Sequence, residues 1–479
     1  MTVVLAIDQG TSGTKAAVVE ESGEILGLSE IPVRPEYLPG GGVEQHPRAL
    51  LDSVLEAGRE AVRRARTGVD VVAFANQGES VLAWDPRTGE PHTGVVVWQD
   101  RRAEEICRGM RGSAELFAER TGLVLDPYFS APKQAWIRRR LTGDGVVTTT
   151  DTWLLHRLGA PFVTDVSTAS RSLLLDLDAV QWSAELCDRF GLGDEPMPDL
   201  VDCDQVVGET AAFGAATPIG GLVVDQQAAL AAEGCLEAGD AKCTFGTGAF
   251  MLAQSGGEPV RSRSGLSASV AWRTGGETRY CLDGQGYTAA SAVRWMQQLG
   301  LLGSPAEIDL VAADDAQGVL CVPAFAGLGA PWWRPEASAT LVGMRLSTDR
   351  SHLVRAVLEG IAAQAAVLGR TVGEDLGRPL RRLRVDGGLT RSSVLMQAVA
   401  DLMQVPVDVY PSPHATALGA AAFGRAALAP SRGLVDAIVP WRPERSYEPR
   451  WSRDRAESFL ERWSAVADAR GAAERRPSR

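Results

Sequence analysis

The sequence predicts a mixed α/β protein of two related domains with a cleft between them. The chain has 479 residues, more than one hydrophobic core usually supports, so two large domains are expected. Short apolar runs alternate with helical patterns, which indicates a mixed sheet with helices on its faces. A strand–turn–strand opening occurs near residue 3 and again near residue 242, which indicates a duplicated domain.

The first half opens with two hairpins, because its apolar runs are separated by a Gly/Thr/Ser-rich turn and a Glu-Ser-Gly-Glu turn. The first predicted domain covers residues 1–236 and ends where Gly, Glu and Ala cluster after a helix. Its predicted elements are strands over residues 3–7, 16–19, 25–28, 71–75, 95–98 and 221–224, and a helix over residues 47–66.

The second half repeats the opening and ends in a tail. The second predicted domain covers residues 237–431, and a C-terminal helical tail rich in Arg, Pro and Trp covers residues 432–479. The predicted elements are strands over residues 242–245, 249–253 and 383–385, and helices over residues 351–372, 395–403 and 452–470.

Composition argues against several classes of protein. The net charge of -12 disfavours a nucleic-acid partner or an anionic membrane surface, since both favour a basic face. The seven cysteines are dispersed without a CxxC pair, which indicates core thiols of a reduced compartment and no zinc site. The N-terminus reaches Asp8 too soon for a secretory segment, and no apolar run of roughly twenty residues occurs. We therefore expect a cytoplasmic protein with a small-molecule partner. The oligomeric state stays open, and a homo-oligomer is compatible with the sequence.

The chain contains three lysines, Lys15, Lys133 and Lys242, and arginine supplies the other positive charges. We interpret this scarcity as coding bias.

Candidate phosphate-binding turns follow the first strand of each half. Residues 8–15 combine two glycines, three hydroxyls and Lys15, so N–H groups and hydroxyls can hold phosphate oxygens while the lysine neutralises them. The GxxxxGK[ST] pattern of a Walker A loop is absent, and the alternative is a hairpin turn in which Asp8 bonds its own backbone. The second turn, at Gly246 and Thr247, has no acid. Two such turns at equivalent points predict a nucleotide held across the cleft.

Asp225 lies where an apolar strand meets an Ala-rich helix, so a helix N-cap is one interpretation. The other is catalytic, because phosphoryl transfer to an alcohol needs a carboxylate near the attacking hydroxyl and Mg²⁺ on the phosphates. Asp8 and Asp225 can divide these roles. Glycines at 387, 388 and 419 either let an adenine approach the backbone or serve close helix packing.

Together these features resemble the FGGY carbohydrate kinases, a family of the actin-like ATPase (ribonuclease H-like) superfold. The resemblance runs from about residue 3 to residue 429 and includes the family's second signature near residues 343–359. It implies two actin-like domains with the active site in the cleft, ATP and Mg²⁺ as cofactors, and phosphorylation of a hydroxyl of a small polyol or sugar. The matching motifs are Asp8-Gln9-Gly10-Thr11, Val97-Trp98-Gln99-Asp100-Arg101-Arg102, Asp126-Pro127-Tyr128-Phe129-Ser130, Asp225-Gln226-Gln227-Ala228-Ala229, Gly246-Thr247-Gly248, Gly327-Leu328-Gly329-Ala330-Pro331 and Asp386-Gly387-Gly388.

The resemblance also implies roles for single residues. Asp225 acts as general base, Asp8 belongs to the magnesium and phosphate site, and Asp225 is a second candidate metal ligand. Adenosine lies beside Gly387, Gly388 and Ser392. The phosphate-binding residues are Thr11, Ser12, Thr14 and Lys15 for the transferring phosphate, and Gly246 and Thr247 for the others.

Within the family, the motifs are most similar to the glycerol kinase-like branch, so glycerol is the leading expected acceptor. Carboxylates accept from hydroxyls and aromatic faces cover C–H surface, although core packing is an alternative for each aromatic residue. The implied acceptor-binding residues are Glu79, Tyr128, Asp225 and Gln226 for the hydroxyls, and Trp98 and Phe250 for the carbon chain.

One departure leaves the acceptor open. Glycerol kinases usually have Asn-Gln-Arg-Glu where this chain has Asn76-Gln77-Gly78-Glu79, so the expected arginine is missing at Gly78. Losing such a charge-assisted hydrogen bond costs roughly 1.5–3 kcal/mol. A kinase for erythritol or a ketopentose is therefore an alternative. A more distant one is a non-kinase actin-like ATPase, which predicts no polyol pocket.

Overall fold

Two large sheets form the body of the protein. The computed structural model describes residues 2–473. The N-terminal sheet contains, in spatial order, Val206–Thr210, Thr217–Val224, Val71–Asn76, Val4–Gln9, Gly13–Val19 and Ile25–Pro32. The C-terminal sheet contains, in spatial order, Ser267–Thr274, Glu277–Gly286, Ala249–Gly256, Ala241–Phe245, Leu383–Asp386, Val407–Val409 and Arg445–Tyr447.

Both sheets share one pattern of pairing. In each, the first strand, Val4–Gln9 or Ala241–Phe245, pairs antiparallel with the strand that follows it. The same strand pairs parallel with one much later in the chain, Val71–Asn76 or Leu383–Asp386. The central strands carry continuous apolar runs because both of their faces are buried. The predicted duplication of an α/β domain is confirmed.

Smaller elements surround these sheets. The strand expected over residues 95–98 is shorter, Val95–Val96, because the N–H of Asp100 turns back to the carbonyl of Val97 at 2.9 Å. A five-stranded sheet contains Glu36–Leu38, Gly42–Gln45, Val95–Val96, Val81–Trp84 and Val146–Thr149. Two-stranded pairs join Val163–Asp165 to Asp199–Val201, Leu175–Asp176 to Gln181–Trp182, and Leu320–Val322 to Thr340–Val342. The α-helices are Pro47–Ala65, Glu104–Gly109, Ala114–Thr121, Ser130–Arg140, Thr150–Leu158, Val166–Ala169, Ala184–Phe190, Asp225–Ala232, Ala290–Gln298, Ile308–Val311, Arg350–Asp375, Ser393–Met403, Ala415–Leu428, Gly433–Ala437 and Arg453–Ala473.

The helix Ala415–Leu428 comes late in the chain but lies on the N-terminal sheet. It packs against the helix Asp225–Ala232, and Gly424 faces Ala73 and Val4 of that sheet. At Gly419 an added Cβ would lie 1.9 Å from the carbonyl oxygen of Ala228. Only glycine permits so close an approach of two backbones, so Gly419 serves helix packing.

An interdomain seam joins the two halves on one side. The residues between Val71–Asn76 and Thr217–Val224 reach the edge strand Ser267–Thr274 of the C-terminal sheet. Among the hydrogen bonds that cross this boundary, three to the edge strand define the seam: Ala268 N–H to Gly122 O (2.8 Å), Val270 N–H to Ser170 Oγ (3.0 Å) and Cys203 N–H to Arg273 O (2.7 Å).

The C-terminal tail is built into the second half. The strand Arg445–Tyr447 extends the C-terminal sheet, and the helix Arg453–Ala473 matches the helix predicted over residues 452–470. Trp463 of this helix is fully buried and its Nε1 donates to the carbonyl of Cys321 at 2.7 Å. The predicted tail continues to residue 479, and residues 474–479 lie outside the described part. The domain ranges 1–236, 237–431 and 432–479 stay predictions.

Within residues 2–473, one helix, Arg350–Asp375, has the length and mean hydropathy that a membrane span needs. Most of it is buried inside the protein, as is typical of a core helix.

Candidate active site

The carboxyl ends of three parallel strands meet at one edge of the N-terminal sheet. Gln9 lies beside Asn76, and Asn76 lies beside Val224 in the sheet register. The residues at or just after these strand ends therefore share one edge, and they include the predicted site residues Asp8, Glu79 and Asp225. These residues are far apart in sequence, but the parallel pairing of the three strands brings them to the same edge of the sheet.

Asp225 is the first residue of the helix Asp225–Ala232, and Val224 holds the N-cap position. Its carboxylate accepts a hydrogen bond of 2.6 Å from the N–H of Gln226. Burial, with added repulsion from Asp8 and Glu79, raises the pKa of Asp225 to about 7, against the opposing effect of Lys242. A carboxylate with a pKa near neutrality can take a proton from an acceptor hydroxyl more readily than an ordinary aspartate.

Asp8 lies half-buried at the end of its strand. Burial raises its pKa to about 6; Lys15 lowers it, while Glu30 and Asp386 raise it further. One buried oxygen of Asp386, Oδ1, has no hydrogen-bond partner within residues 2–473. Within the same residues no group of three His, Cys, Asp or Glu forms a metal-binding cluster. Mg²⁺ is usually held by one or two carboxylates together with phosphates and water, so these repelling acids fit a site completed by the nucleotide.

The first predicted phosphate turn is a tight hairpin. Gly10 N–H donates to Gly13 O at 3.0 Å, Ser12 is exposed, and Lys15 lies half-buried with its charge near Asp8. Thr11 Oγ1 accepts from the Nε1 of Trp98 at 2.8 Å and so joins the turn to the aromatic residues described below.

Thr14 is not brought to this turn. It is fully buried, and its hydroxyl bonds to Ser53 Oγ at 2.7 Å in the helix Pro47–Ala65. Strand alternation places it on the face opposite Gly13 and Lys15.

The second predicted phosphate turn lies beside the Asp386–Gly388 turn, because Thr244 and Asp386 are neighbours in parallel strands. At Gly246 the nearest atom to an added Cβ is 4.0 Å away, and at Gly388 no atom lies within 4 Å. Thr247 is exposed, and Gly387 has φ 96° with an added Cβ only 2.5 Å from Phe245 O. Open space before two adjacent strand-end turns suits a nucleotide.

Ser392 acts as a structural residue in this structure. It is buried and caps the helix Ser393–Met403 by accepting from the N–H of Leu395. Its hydroxyl also donates to Asp309 Oδ1 at 2.5 Å, an aspartate that sequence reasoning missed. The predicted contact of Ser392 with adenosine stays a prediction.

The predicted aromatic residues form one cluster across the two halves. The Trp98 ring packs edge-on against Tyr128 at 5.4 Å and against Phe250 at 6.2 Å. All three side chains are half-buried, so they are not fully enclosed in the hydrophobic core. Their apolar faces can cover the C–H surface of a small acceptor.

Glu79 is buried beside this cluster in a strained backbone conformation, φ 63°, which non-glycine residues rarely adopt outside functional sites. Its Oε1 accepts from Arg171 Nε at 2.7 Å, and Arg171 Nη1 donates to Asp283 Oδ1 at 2.5 Å. Burial raises the pKa of Glu79, while Arg171 and Lys133 lower it. Glu79 is therefore held firmly beside the aromatic residues.

Arg171 and Asp283 were not found by the sequence reasoning. Arg171 follows the helix Val166–Ala169, far from Glu79 in sequence, and its Cζ lies 5.8 Å from the centre of the Tyr128 ring. Asp283 lies in the middle of the strand Glu277–Gly286 of the other half. No local motif marks either residue.

Two buried lysines complete the site. Lys133 Nζ donates to the carbonyls of Pro127, Tyr128 and Phe129 at 2.9, 2.5 and 2.6 Å, and burial lowers its pKa to about 7. Lys242 Nζ donates to Gln226 Oε1 and to Thr244 Oγ1, both at 2.7 Å. Gln226, a predicted acceptor residue, is thus oriented by a lysine from the C-terminal sheet.

Two duplicated domains, each with a glycine- and threonine-containing turn after its first strand, and a buried carboxylate beside a cluster of aromatic residues are typical of a sugar- or polyol-type kinase. The comparisons agree. The description "FGGY family of carbohydrate kinases, N-terminal domain" matches residues 3–232, and the C-terminal domain of the same family matches residues 241–428. The chain belongs to the FGGY family of carbohydrate kinases and is an ATP-dependent carbohydrate kinase.

Similar proteins span the whole chain. It is 40% identical to a glycerol kinase of Alkalilimnicola ehrlichii, with 98% of this chain and 99% of the relative covered. Its structure is similar to that of Plasmodium falciparum glycerol kinase with ADP, at 29% identity and a TM-score of 0.91, covering 98% of each chain. A xylulose kinase of Lactobacillus acidophilus shares the fold at 18% identity and a TM-score of 0.90, covering 99% of each chain.

Proposed function

We propose that this kinase transfers the γ-phosphoryl group of ATP to a hydroxyl of glycerol. The observation that carries the proposal is the placing of Asp225 and Glu79 at one sheet edge, beside the half-buried rings of Trp98, Tyr128 and Phe250. Carboxylates for hydroxyls and aromatic faces for carbon suit a short polyol. The similar glycerol kinases support the same acceptor.

Asp225 is the general base of the proposed reaction. As the acceptor oxygen bonds to the γ-phosphorus, its proton passes to the Asp225 carboxylate. The bond from the γ-phosphorus to the bridging oxygen breaks, and ADP leaves with that electron pair. Lys242 supports this role in two ways. Its Nζ donates to Gln226 Oε1, and its charge lowers the pKa of Asp225, which favours the ionised carboxylate.

The phosphate turns hold the nucleotide in this proposal. Thr11, Ser12 and Lys15 face it from the first half, and Gly246 and Thr247 from the second. Gly388 leaves open backbone for the adenosine, and Gly387 lets this turn pack closely against Phe245. Asp8 would hold Mg²⁺, with Asp225 as a second candidate, and the ion when bound supplies charge neutralisation at the phosphates.

A longer polyol is the second candidate acceptor. Gly78 has no side chain, and an added Cβ there would meet one atom within 4 Å, Val224 Cγ2 at 3.0 Å. Because no arginine side chain extends from this position, a longer acceptor can reach toward Gly78 beside Glu79. The alternative of a non-kinase ATPase is excluded by the match of both halves to the carbohydrate kinase family.

A coupled assay of ADP release against C3 to C6 polyols and sugars tests the proposal. Glycerol is expected to give the highest kcat/KM. Asp225→Asn should lower turnover by about 10²–10⁴-fold while ATP binding and folding persist. Asp52→Asn, at an exposed position of the helix Pro47–Ala65, is the control and should keep full activity. ADP release that no acceptor stimulates would contradict a kinase, and a clear preference for a longer acceptor would replace glycerol.

We also propose a cytoplasmic location. All seven cysteines are buried and unpaired, as expected in a reducing compartment.

A further inference from the structure

We infer that Arg171 binds an acceptor hydroxyl together with Glu79 and thereby sets the specificity of the pocket. The inference rests on the proposed function and names the residue that supplies the cationic donor missing at Gly78. Arg171 lies on a different segment from the one where that donor was expected.

The first argument is the geometry of the guanidinium. Arg171 uses Nε for Glu79 and Nη1 for Asp283, and within residues 2–473 its Nη2 has no hydrogen-bond partner. The side chain is 6% exposed and its unused Nη2 is not fully enclosed, so this donor keeps a small opening through which a ligand can reach it. A buried arginine with unused N–H groups beside a substrate pocket is suited to bind an oxygen of the substrate.

The second argument is the pairing of donor with acceptor. A hydroxyl can donate to the carboxylate of Glu79 while its oxygen accepts from the guanidinium of Arg171. Such a site rejects analogues that lack the hydroxyl, because its buried polar groups are then left unpaired. Two carboxylates, Glu79 and Asp283, flank one guanidinium, so a neutral hydroxyl is favoured over an acidic group.

The third argument is rigidity. Arg171 N–H donates to Thr168 O at 3.0 Å, and Asp165 caps the preceding short helix through Ser167 and Thr168. The guanidinium carbon lies 5.2 Å from the centre of the Phe129 ring, and Lys133 holds the backbone of that segment. A donor fixed from all sides loses little freedom on binding, which favours affinity.

The test pairs changes in the enzyme with changes in the acceptor. Values of kcat/KM are measured for glycerol, 1,2-propanediol and 1,3-propanediol, which each lack one hydroxyl relative to glycerol, with the wild-type enzyme and Arg171→Lys. If Arg171 binds a hydroxyl, the variant should lose about ten- to a hundredfold on glycerol, mainly in KM. It should lose much less on one of the two diols. Arg138→Lys, in another ion pair with a largely buried glutamate, Glu195, is the matched control and should leave the ratios unchanged.

Removing a buried cation can unfold a protein, since it leaves carboxylates uncompensated. We therefore also compare a single variant, Asp283→Asn, with a double variant, Arg171→Gln/Asp283→Asn. Removing the Asp283 carboxylate in both keeps the buried positive and negative charges closer to balance. The glycerol-to-diol ratio should persist in the single variant and collapse in the double one. Equal losses on glycerol and both diols, or equal ratios in the two variants, would overturn the role of Arg171. If the wild-type enzyme phosphorylates no polyol, the proposed function itself fails.

Discussion

Asp8, Glu79 and Asp225 lie close together at one edge of the N-terminal sheet, where their negative charges repel one another. Burial, together with repulsion from Asp8 and Glu79, raises the pKa of Asp225 to about 7. Lys242 opposes this shift. A general base must be ionised to accept a proton, so the protonation of Asp225 should limit the reaction on the acid side.

We expect kcat/KM for the acceptor to fall as the pH drops through about 7. Lys242→Met removes a cation that lowers the pKa of Asp225, so the fall should move to higher pH. Arg63→Met, at a surface pair with Glu60, is the control and should leave the profile in place. A profile that does not move in the Lys242 variant, or a fall near pH 4, would argue against Asp225 as the base. Because Asp8 and Asp225 interact, the measured value belongs to the pair.

Single residues show what the sequence could and could not reveal about the site. Asp8 and Asp225 were predicted from motifs at strand ends, whereas Glu79 and the aromatic residues were predicted from the family resemblance, and the structure brings them together. Arg171 was not found, since its partners lie 92 and 112 positions away in sequence. The scarcity of lysine was a usable signal that we interpreted as coding bias, and the structure places all three lysines at the site.

The helices Asp225–Ala232 and Ala415–Leu428 form the support on which Asp225 rests. Glycine lets their backbones approach at Gly419, which faces Ala228 one turn after Asp225. The sequence indicated a helix boundary with glycines near residue 419 but left open whether they served adenine or packing. The structure shows that Gly419 serves packing. The sequence left this open because one chain segment does not reveal which helix will lie against it.

Gly419→Ala should therefore harm stability and catalysis together. The new methyl group would overlap the carbonyl of Ala228, and overpacking of this kind costs about 1–3 kcal/mol. Urea unfolding and steady-state turnover measure the two effects. Gly109→Ala, in the helix Glu104–Gly109 with no atom within 4 Å of the added Cβ, should be nearly neutral. If Gly419→Ala unfolds like the wild type, the two helices are not as tightly coupled as the geometry implies.

At the scale of the whole molecule, the interdomain seam joins the two halves on one side, and the late helix Ala415–Leu428 returns to pack on the N-terminal sheet. Length and a repeated opening were enough to predict two related domains. They could not predict the seam or the late helix that returns to the first sheet, since both depend on long-range contacts. Any closing of the cleft must turn about these fixed connections.

We expect acceptor and a non-hydrolysable ATP analogue together to reduce the radius of gyration in small-angle scattering, since a kinase must exclude water from the transferring phosphoryl group. The ATP analogue alone is the control and should have a smaller effect. Amide exchange at Ala268 and Val270 of the seam should stay slow in every state. A radius of gyration that no ligand changes, or faster amide exchange in the seam, would contradict a closure of the cleft that turns about the seam.

The distribution of lysine also decides how the protein responds to amine-reactive chemistry. Lys133 and Lys242 are fully buried, so Lys15 is the lysine side chain that solvent reaches. Acylating reagents, reductive methylation and coupling to activated resins would then act at the phosphate turn or at the N-terminal amine. A preparation immobilised through lysine would carry its attachment at the proposed nucleotide site, where we expect bound ATP to shield that amine from reaction.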